Sequence, residues 1–304
     1  MSAAQLPLQF DSPLVGKVKN DRTMMVWNFF ALTKDKTTKL PVYDDGVVRI
    51  EVKSNEEGVA TIWDKELLIY MASLMQDRMS RGEAVSRTFT FTANDFFRVC
   101  KIHPGGASYE RIEPALRRLK GTTVYTNIET GGEGSDGGFS WVTDYNIHYR
   151  RDRTSGEKIL KSLAVEICPW LFRALVRHST ILTYDPGYFD LSPLEKRLYE
   201  IARAHCGEQA CFKIGLEKLR LRVGSDTELK KFKLALTKIA AKRKPLPEYG
   251  LSVVDPRRMR TLDHRQPTPT SRTPLKSYMV FFYRLDQITR ATLDRAPELP
   301  DHDL

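Results

Sequence analysis

Apolar and polar residues follow two periods along this chain, and the elements they predict come twice in the same order. Leu67, Leu68, Met71, Leu74 and Met75 recur at helical spacing over Asp64–Arg78, with Asp64 placed as a cap. Arg87-Thr-Phe-Thr-Phe-Thr92 alternates strictly and predicts a strand. A short helix over 94–99, a turn at Pro104-Gly-Gly106 and a helix to about Lys120 follow, the last carrying Tyr109, Ile112, Leu116 and Leu119 on one face. Pro114 removes a donor from any helix interior, so this helix either kinks or begins near Glu113. Thr122–Glu129 and Phe139–Tyr149 then read as a two-stranded ribbon. Its tip is the glycine run 131–138, which lacks the Gly-Lys-Ser/Thr ending of a phosphate loop and reads as a flexible turn.

Beyond a polar connector at 150–158, the pattern predicts a strand over 160–167, a helix over 169–177 and a strand over 181–184. A second unit opens at Ser192, where Ser192, Pro193 and Glu195 form a helix-start signature ahead of the inward face Leu194, Leu198, Ile201 and Ala202. A short strand over 210–214, a helix over 216–222, a turn at Gly224, a helix over Ser225–Lys244 and strands over 250–254 and 278–284 complete it. The same order, repeated about 120 residues further on, predicts an α+β chain with two tandem winged-helix domains. The expected boundaries are a flexible N-terminal segment over 1–22, a first winged helix over 23–184, a second over 185–285 and a C-terminal tail over 286–304.

Charge changes the picture. Leu216–Tyr278 holds sixteen Lys or Arg against six Asp or Glu, a surplus of ten that equals the formal net charge of the whole chain, +10. One helix-plus-loop region therefore carries the entire excess, the footprint expected where a protein meets phosphate backbones. Within the helix over 225–244, Leu229, Phe232, Leu236 and Ile239 share one stripe, while Thr227, Lys230, Lys231, Leu234, Lys238 and Lys242 lie opposite. Lysines on a helix face are ordinarily only a solvated surface; here they belong to the predicted second helix of a helix-turn-helix, the one that enters the major groove. Lys230, Lys231, Leu234 and Lys238 are the candidates for base edges, with Lys242 on the same face and Arg243 and Lys244 placed to grip backbone. The Pro- and Thr-rich arm over 256–277 adds Arg257, Arg258 and Arg260, with Arg265 and Arg272 beyond, and suits a segment lying along DNA. In the first unit Arg111, Arg117, Arg118 and Lys120 form a milder basic surface, offset by Glu110 and Glu113 and suited to backbone contact.

Length and composition narrow the class. At 304 residues with 41% hydrophobic residues the chain can bury two cores. It has no apolar run near the length of a membrane span, and Met1–Gly16 lacks the features of a signal peptide, so a cytoplasmic location without a membrane partner is expected. Cys100, Cys168, Cys206 and Cys211 form no CxxC pair, and His205 beside Cys206 lacks a second ligand pair at zinc spacing, so no metal is expected. No Walker, HExxH or GxSxG motif is present, nor the paired histidines that accompany a nicking tyrosine. The expectation is a binding protein, not an enzyme, with no cofactor.

The phrases Tyr109-Glu-Arg-Ile-Glu-Pro-Ala-Leu-Arg-Arg-Leu-Lys-Gly-Thr-Thr123 and Leu191-Ser-Pro-Leu-Glu-Lys-Arg-Leu-Tyr199, set in two winged helices, resemble the plasmid replication initiators of the replication initiator protein A family, similar in architecture to TrfA. The resemblance spans about residues 20–285. It implies binding to direct repeats (iterons) of double-stranded DNA at a plasmid origin, opening of an adjacent A+T-rich segment, and recruitment of host DnaA and replicative helicase. It also implies a monomer–dimer balance that serves copy control, the first winged helix supplying the dimer contact and the second most of the base reading. A tandem winged-helix repressor and a nicking-type replication enzyme are the alternatives. Gln5-Leu6-Pro7-Leu8-Gln9-Phe10 resembles the short peptide by which bacterial replication proteins dock on the sliding clamp, with Gln5, Leu6, Leu8 and Phe10 as the anchors.

Overall fold

The computed structural model describes residues 10–134, 137–151, 154, 156, 158–177, 180–207, 209–256 and 274–287. The chain divides into two units, Met1–Thr23 with Phe29–Tyr184, and Met24–Asn28 with Asp185–Leu304.

The first unit opens with strand β1 (Lys19–Asp21), and helix α1 (Arg22–Val26) carries the chain across the division. Strands β2 (Tyr43–Asp44) and β3 (Arg49–Ser54) precede helix α2 (Lys65–Ser80), strand β4 (Thr88–Phe91) and helices α3 (Ala93–Val99), α4 (Gly106–Glu110) and α5 (Ile112–Gly121). Strands β5 (Thr122–Thr126), β6 (Gly138–Ser140), β7 (Val142–Arg151) and β8 (Lys158–Ile167), helix α6 (Pro169–Val176) and strand β9 (Ile181–Thr183) complete it. Pro114 falls in the first turn of α5, where a missing N–H removes no intrahelical bond, and the predicted long helix is two, broken at Arg111.

Three expectations for this unit need correction. The winged-helix ribbon is β7–β8, in a sheet of order β4-β8-β7, whereas β5 and β6 pair within a separate sheet of order β2-β3-β5-β6. The apolar run over 139–149 changes sheets at Trp141, which is fully buried against Phe29, Phe30, Phe139 and Trp170 with ring centroids 5.2–6.0 Å away. A period of two says which face a residue takes but not which strand it pairs with. Helix α2 is buried on all sides because β1, α3 and α6 surround it, and even Lys65 and Glu66 lie inside. Its predicted cap, Asp64, instead accepts from Thr61 N at 2.7 Å and Thr61 Oγ1 at 3.0 Å.

The third correction concerns the segment over 1–22, of which residues 10–22 are built into the unit. Asp11 N donates to Thr90 O at 2.7 Å, Thr90 N donates back to Asp11 Oδ2 at 2.6 Å, and Leu14 is buried with its N–H on Asp95 Oδ2 at 2.8 Å. Asn20 pairs with Leu182 in the β1-β9 sheet. These bonds, each with a backbone N–H as donor and a partner distant in sequence, leave little mark in the apolar pattern.

In the second unit a 3-10 turn (Pro186–Asp190) leads into helix α7 (Pro193–His205), strand β10 (Cys211–Gly215), helices α8 (Leu216–Val223) and α9 (Leu229–Ala240), and strands β11 (Tyr249–Val254) and β12 (Met279–Arg284). The capping box at Ser192 and Glu195 is formed, with Ser192 N on the Glu195 carboxylate at 3.2 Å. The sheet order β10-β12-β11 matches β4-β8-β7: in each unit the third strand of the motif lies between the first and second. Two tandem winged helices in an α+β chain are thus present. Gly224 makes the α8–α9 turn possible twice over: its φ is +80°, and a Cβ there would come 2.0 Å from Asn28 Nδ2.

The segment Met24–Asn28 is held to the second unit by Arg197, which is fully buried and donates to Met25 O at 3.0 Å and Val26 O at 3.4 Å. Arg197 also pairs with the fully buried Glu200, which accepts from Tyr188 Oη at 3.0 Å. The expected domain start at residue 23 therefore misplaces these five residues, which sequence order assigns to the first unit and contacts assign to the second.

Candidate nucleic-acid interface

Helix α9 is shorter than the predicted 225–244. At its start, Thr227 N donates to Ser225 Oγ at 3.3 Å and Arg220 donates to Thr227 O at 3.0 Å, holding the preceding residues in a turn; at its end Pro245 and Pro247 bar continuation. Phe232, Leu236 and Ile239 are buried as the stripe predicts, and Leu229 is half-buried. The opposite face exposes Lys230, Lys231, Leu234, Thr237, Lys238 and Ala241.

Among the described residues the side chains of Lys230, Lys231 and Lys238 make no ion pair or hydrogen bond, and neither do those of Arg243 and Lys244 beyond the helix end. Lys242 is different: it is engaged by Glu195, the capping residue of α7, so unlike Lys230, Lys231 and Lys238 it is not free of an acidic partner within its unit. Lys233, on the flank of α9, lies 3.3 Å from the centroid of the Tyr278 ring. Lys218 on α8 is a further exposed lysine with no partner among the described residues, missed because a helix of eight residues gave no face on which to place it. Arg257, Arg258 and Arg260 lie outside the described residues, as do Gln5, Leu6 and Leu8; Phe10 is exposed.

The basic residues of α5 are engaged within the first unit. Arg118 forms a two-pronged pair with Asp64, Nε and Nη2 each at 2.7 Å, and Asp64 is only 3% exposed. Arg117 pairs with Glu113 at 2.7 Å and Glu57 at 3.5 Å. Lys120 binds Asp144 at 2.9 Å, which holds that carboxyl below its usual range, and sits over the Tyr145 ring at 5.6 Å. Arg111 alone of the four has no partner among the described residues; it is exposed on the rim of a groove of about 370 Å³ that also takes in Lys34, Lys36, Asp35 and Glu57. Basic residues that sequence reasoning missed lie on the β7–β8 ribbon, where Arg150, Arg151, Lys158 and Lys161 are exposed and Lys158 sits 4.6 Å from the Tyr149 ring centroid. Pairing two ten-residue runs across the connector would have found them.

The chemistry elsewhere is quiet. Burial first of all pushes the Cys206 thiol up to about 12, and His205 stacks on Phe212 at 4.1 Å. No helix among the described residues is long and apolar enough to cross a membrane.

The family model for replication initiator protein A matches residues 19–251, from β1 into β11. A relative from Wigglesworthia glossinidia brevipalpis named "Putative replication protein" is 33% identical over 244 residues, covering 79% of this chain and 86% of its own. The chain belongs to the replication initiator protein A family. As a member of that family it is a replication initiator. Two solved structures of domains 2 and 3 of RctB share the initiator's fold, with TM-scores of 0.57 and 0.52 at 14% and 12% identity; they cover 86% and 87% of this chain, and the chain covers 98% and 97% of theirs. Each of the initiator's two family phrases contributes contacts inside the fold. Tyr109 packs on Phe97 at 5.0 Å, Thr122 Oγ1 accepts from Ala60 N at 2.8 Å, and Tyr199 Oη accepts from Asp185 N at 2.7 Å.

Proposed function

We propose that this initiator binds the repeated sequences of a plasmid origin as double-stranded DNA, with α9 in the major groove, and that it acts by binding alone, without catalysis of its own. The observation that carries this is the face of α9, where Lys230, Lys231 and Lys238 stand exposed and, among the described residues, unengaged in a winged helix of a replication initiator. A lysine with no internal partner keeps its donors for guanine O6 and N7 or for phosphate. Arg243, Lys244 and the arginines of the 256–277 arm supply backbone contacts, each contributing roughly 0.9 to the slope of log K against log salt.

In the same reading, binding at adjacent repeats opens a neighbouring A+T-rich segment in the bacterial cytoplasm and brings in host DnaA and helicase. Self-association falls to the first unit, which is supported by Val42, Val47 and Tyr125, exposed on and beside β2, β3 and β5. The N-terminal peptide from Gln5 to Phe10 is assigned to the sliding clamp.

The test supplies this gene alone to a bacterial host together with a plasmid whose only replication origin is the DNA beside the gene. Replication with footprints over repeated sites is expected. Footprints on a complete origin without replication would make the chain a repressor. Protein joined covalently to a nicked strand in the presence of a divalent ion would make it an enzyme.

A further inference from the structure

Leu234 stands 56% exposed at the middle of the α9 face, ringed by lysines. An exposed leucine is common on any surface. Its setting is not: Lys230 and Lys231 lie one turn before Leu234 and Lys238 one turn after it, all on the exposed side of the helix that Leu234 shares with Thr237. The Thr237 hydroxyl already donates to Lys233 O at 3.0 Å, so its polar group is satisfied within the helix. The core does not use Leu234, since Phe232, Leu236 and Ile239 fill the buried side.

We infer that Leu234 is a specificity-determining residue that reads the C5-methyl group of a thymine in the major groove, with the lysines beside it donating to nearby guanines. This rests on the proposal that α9 enters the groove. Of the four bases only thymine presents an apolar group there, and a helix side chain with no hydrogen-bonding capacity can distinguish it by contact alone. The charge around Leu234 argues against an apolar protein partner: a surface meant for one would not place at its rim three ammonium groups that have no acidic partner among the described residues, where association would strip their water. Polyanionic DNA meets both requirements at once. Lys230 and Lys238 lie one helical turn to either side of Leu234, about 6 Å along the axis, which is roughly two base steps. The recognised repeat is therefore expected to hold a thymine with guanine within about two base pairs on either side.

The experiment takes the full chain and the duplex it enriches from a random pool, and replaces each thymine in turn by deoxyuridine, which removes one methyl group and leaves the pairing edge unchanged. One or two positions should weaken wild-type binding about fourfold. At those positions Leu234→Ala should bind the thymine and deoxyuridine duplexes equally, and because the side chain is exposed the variant should melt with the wild type. A flat deoxyuridine scan on a duplex that the wild type still prefers over random DNA would overturn the inference and leave the DNA-reading proposal standing. Sensitivity that persists unchanged in Leu234→Ala would assign the methyl contact to another residue. No preference for any duplex would remove the inference and the proposed function together.

Discussion

Helices α5 and α9 hold the same place in two copies of one topology, and both are basic, yet their cations are used differently. On α5, Arg117, Arg118 and Lys120 are matched by Glu113, Asp64 and Asp144, all within the first unit. On α9, Lys230, Lys231 and Lys238 have no such partners among the described residues. The count of basic residues is thus a poor guide to which cations are available to DNA, because an arginine clamped on a carboxylate must give up that bond before it can take a base or phosphate. What distinguishes the two helices is the acidic complement that one carries and the other lacks.

The largest effects should come from α9. Single replacements of Lys230, Lys231 and Lys238 by Ala are each expected to cost about 1–3 kcal/mol on the preferred duplex where the lysine meets a base, with the loss confined to one position of a binding-site scan. Arg118→Ala should act on folding instead. It leaves the buried Asp64 carboxylate with Thr61 as its remaining partner, a loss of about 1–3 kcal/mol seen as a lower melting temperature, while the preference for one duplex over another is unchanged.

Removing the acidic complement would sharpen the comparison from the other side. Glu57→Gln and Glu113→Gln with Asp144→Asn free Arg117 and Lys120, so binding to random DNA should tighten and the salt slope should steepen by up to about two. The smallest effect is expected of Lys242→Ala: its pair with Glu195 is half-exposed and worth less than about 1 kcal/mol, visible as a slight loss of thermal stability with no change in specificity.

Much of this was legible beforehand, and the reasons are physical. The apolar stripe Phe232, Leu236 and Ile239, the capping box at Ser192 and the repeated element order are local signals, and they specify two winged helices. Pairings distant in sequence were not legible. The change of sheet at Trp141, the bond from Arg118 to Asp64 fifty-four residues away, and the capture of Met24–Asn28 by Arg197 across more than 170 residues have no periodic trace. The same holds for the site: the lysine face of α9 could be read from spacing, whereas the engagement of Arg117, Arg118, Lys120 and Lys242 needed the fold.

The most direct test compares two triple variants side by side at one salt concentration, Lys230→Ala/Lys231→Ala/Lys238→Ala and Arg111→Ala/Arg117→Ala/Lys120→Ala. For each, the ratio of affinities for the enriched duplex and for random DNA is measured with the full chain. The account predicts that the first variant falls to a ratio near one, while the second keeps the wild-type ratio with at most a uniform loss on both duplexes. Loss of the ratio in the second variant, or its survival in the first, would contradict the assignment of sequence reading to α9.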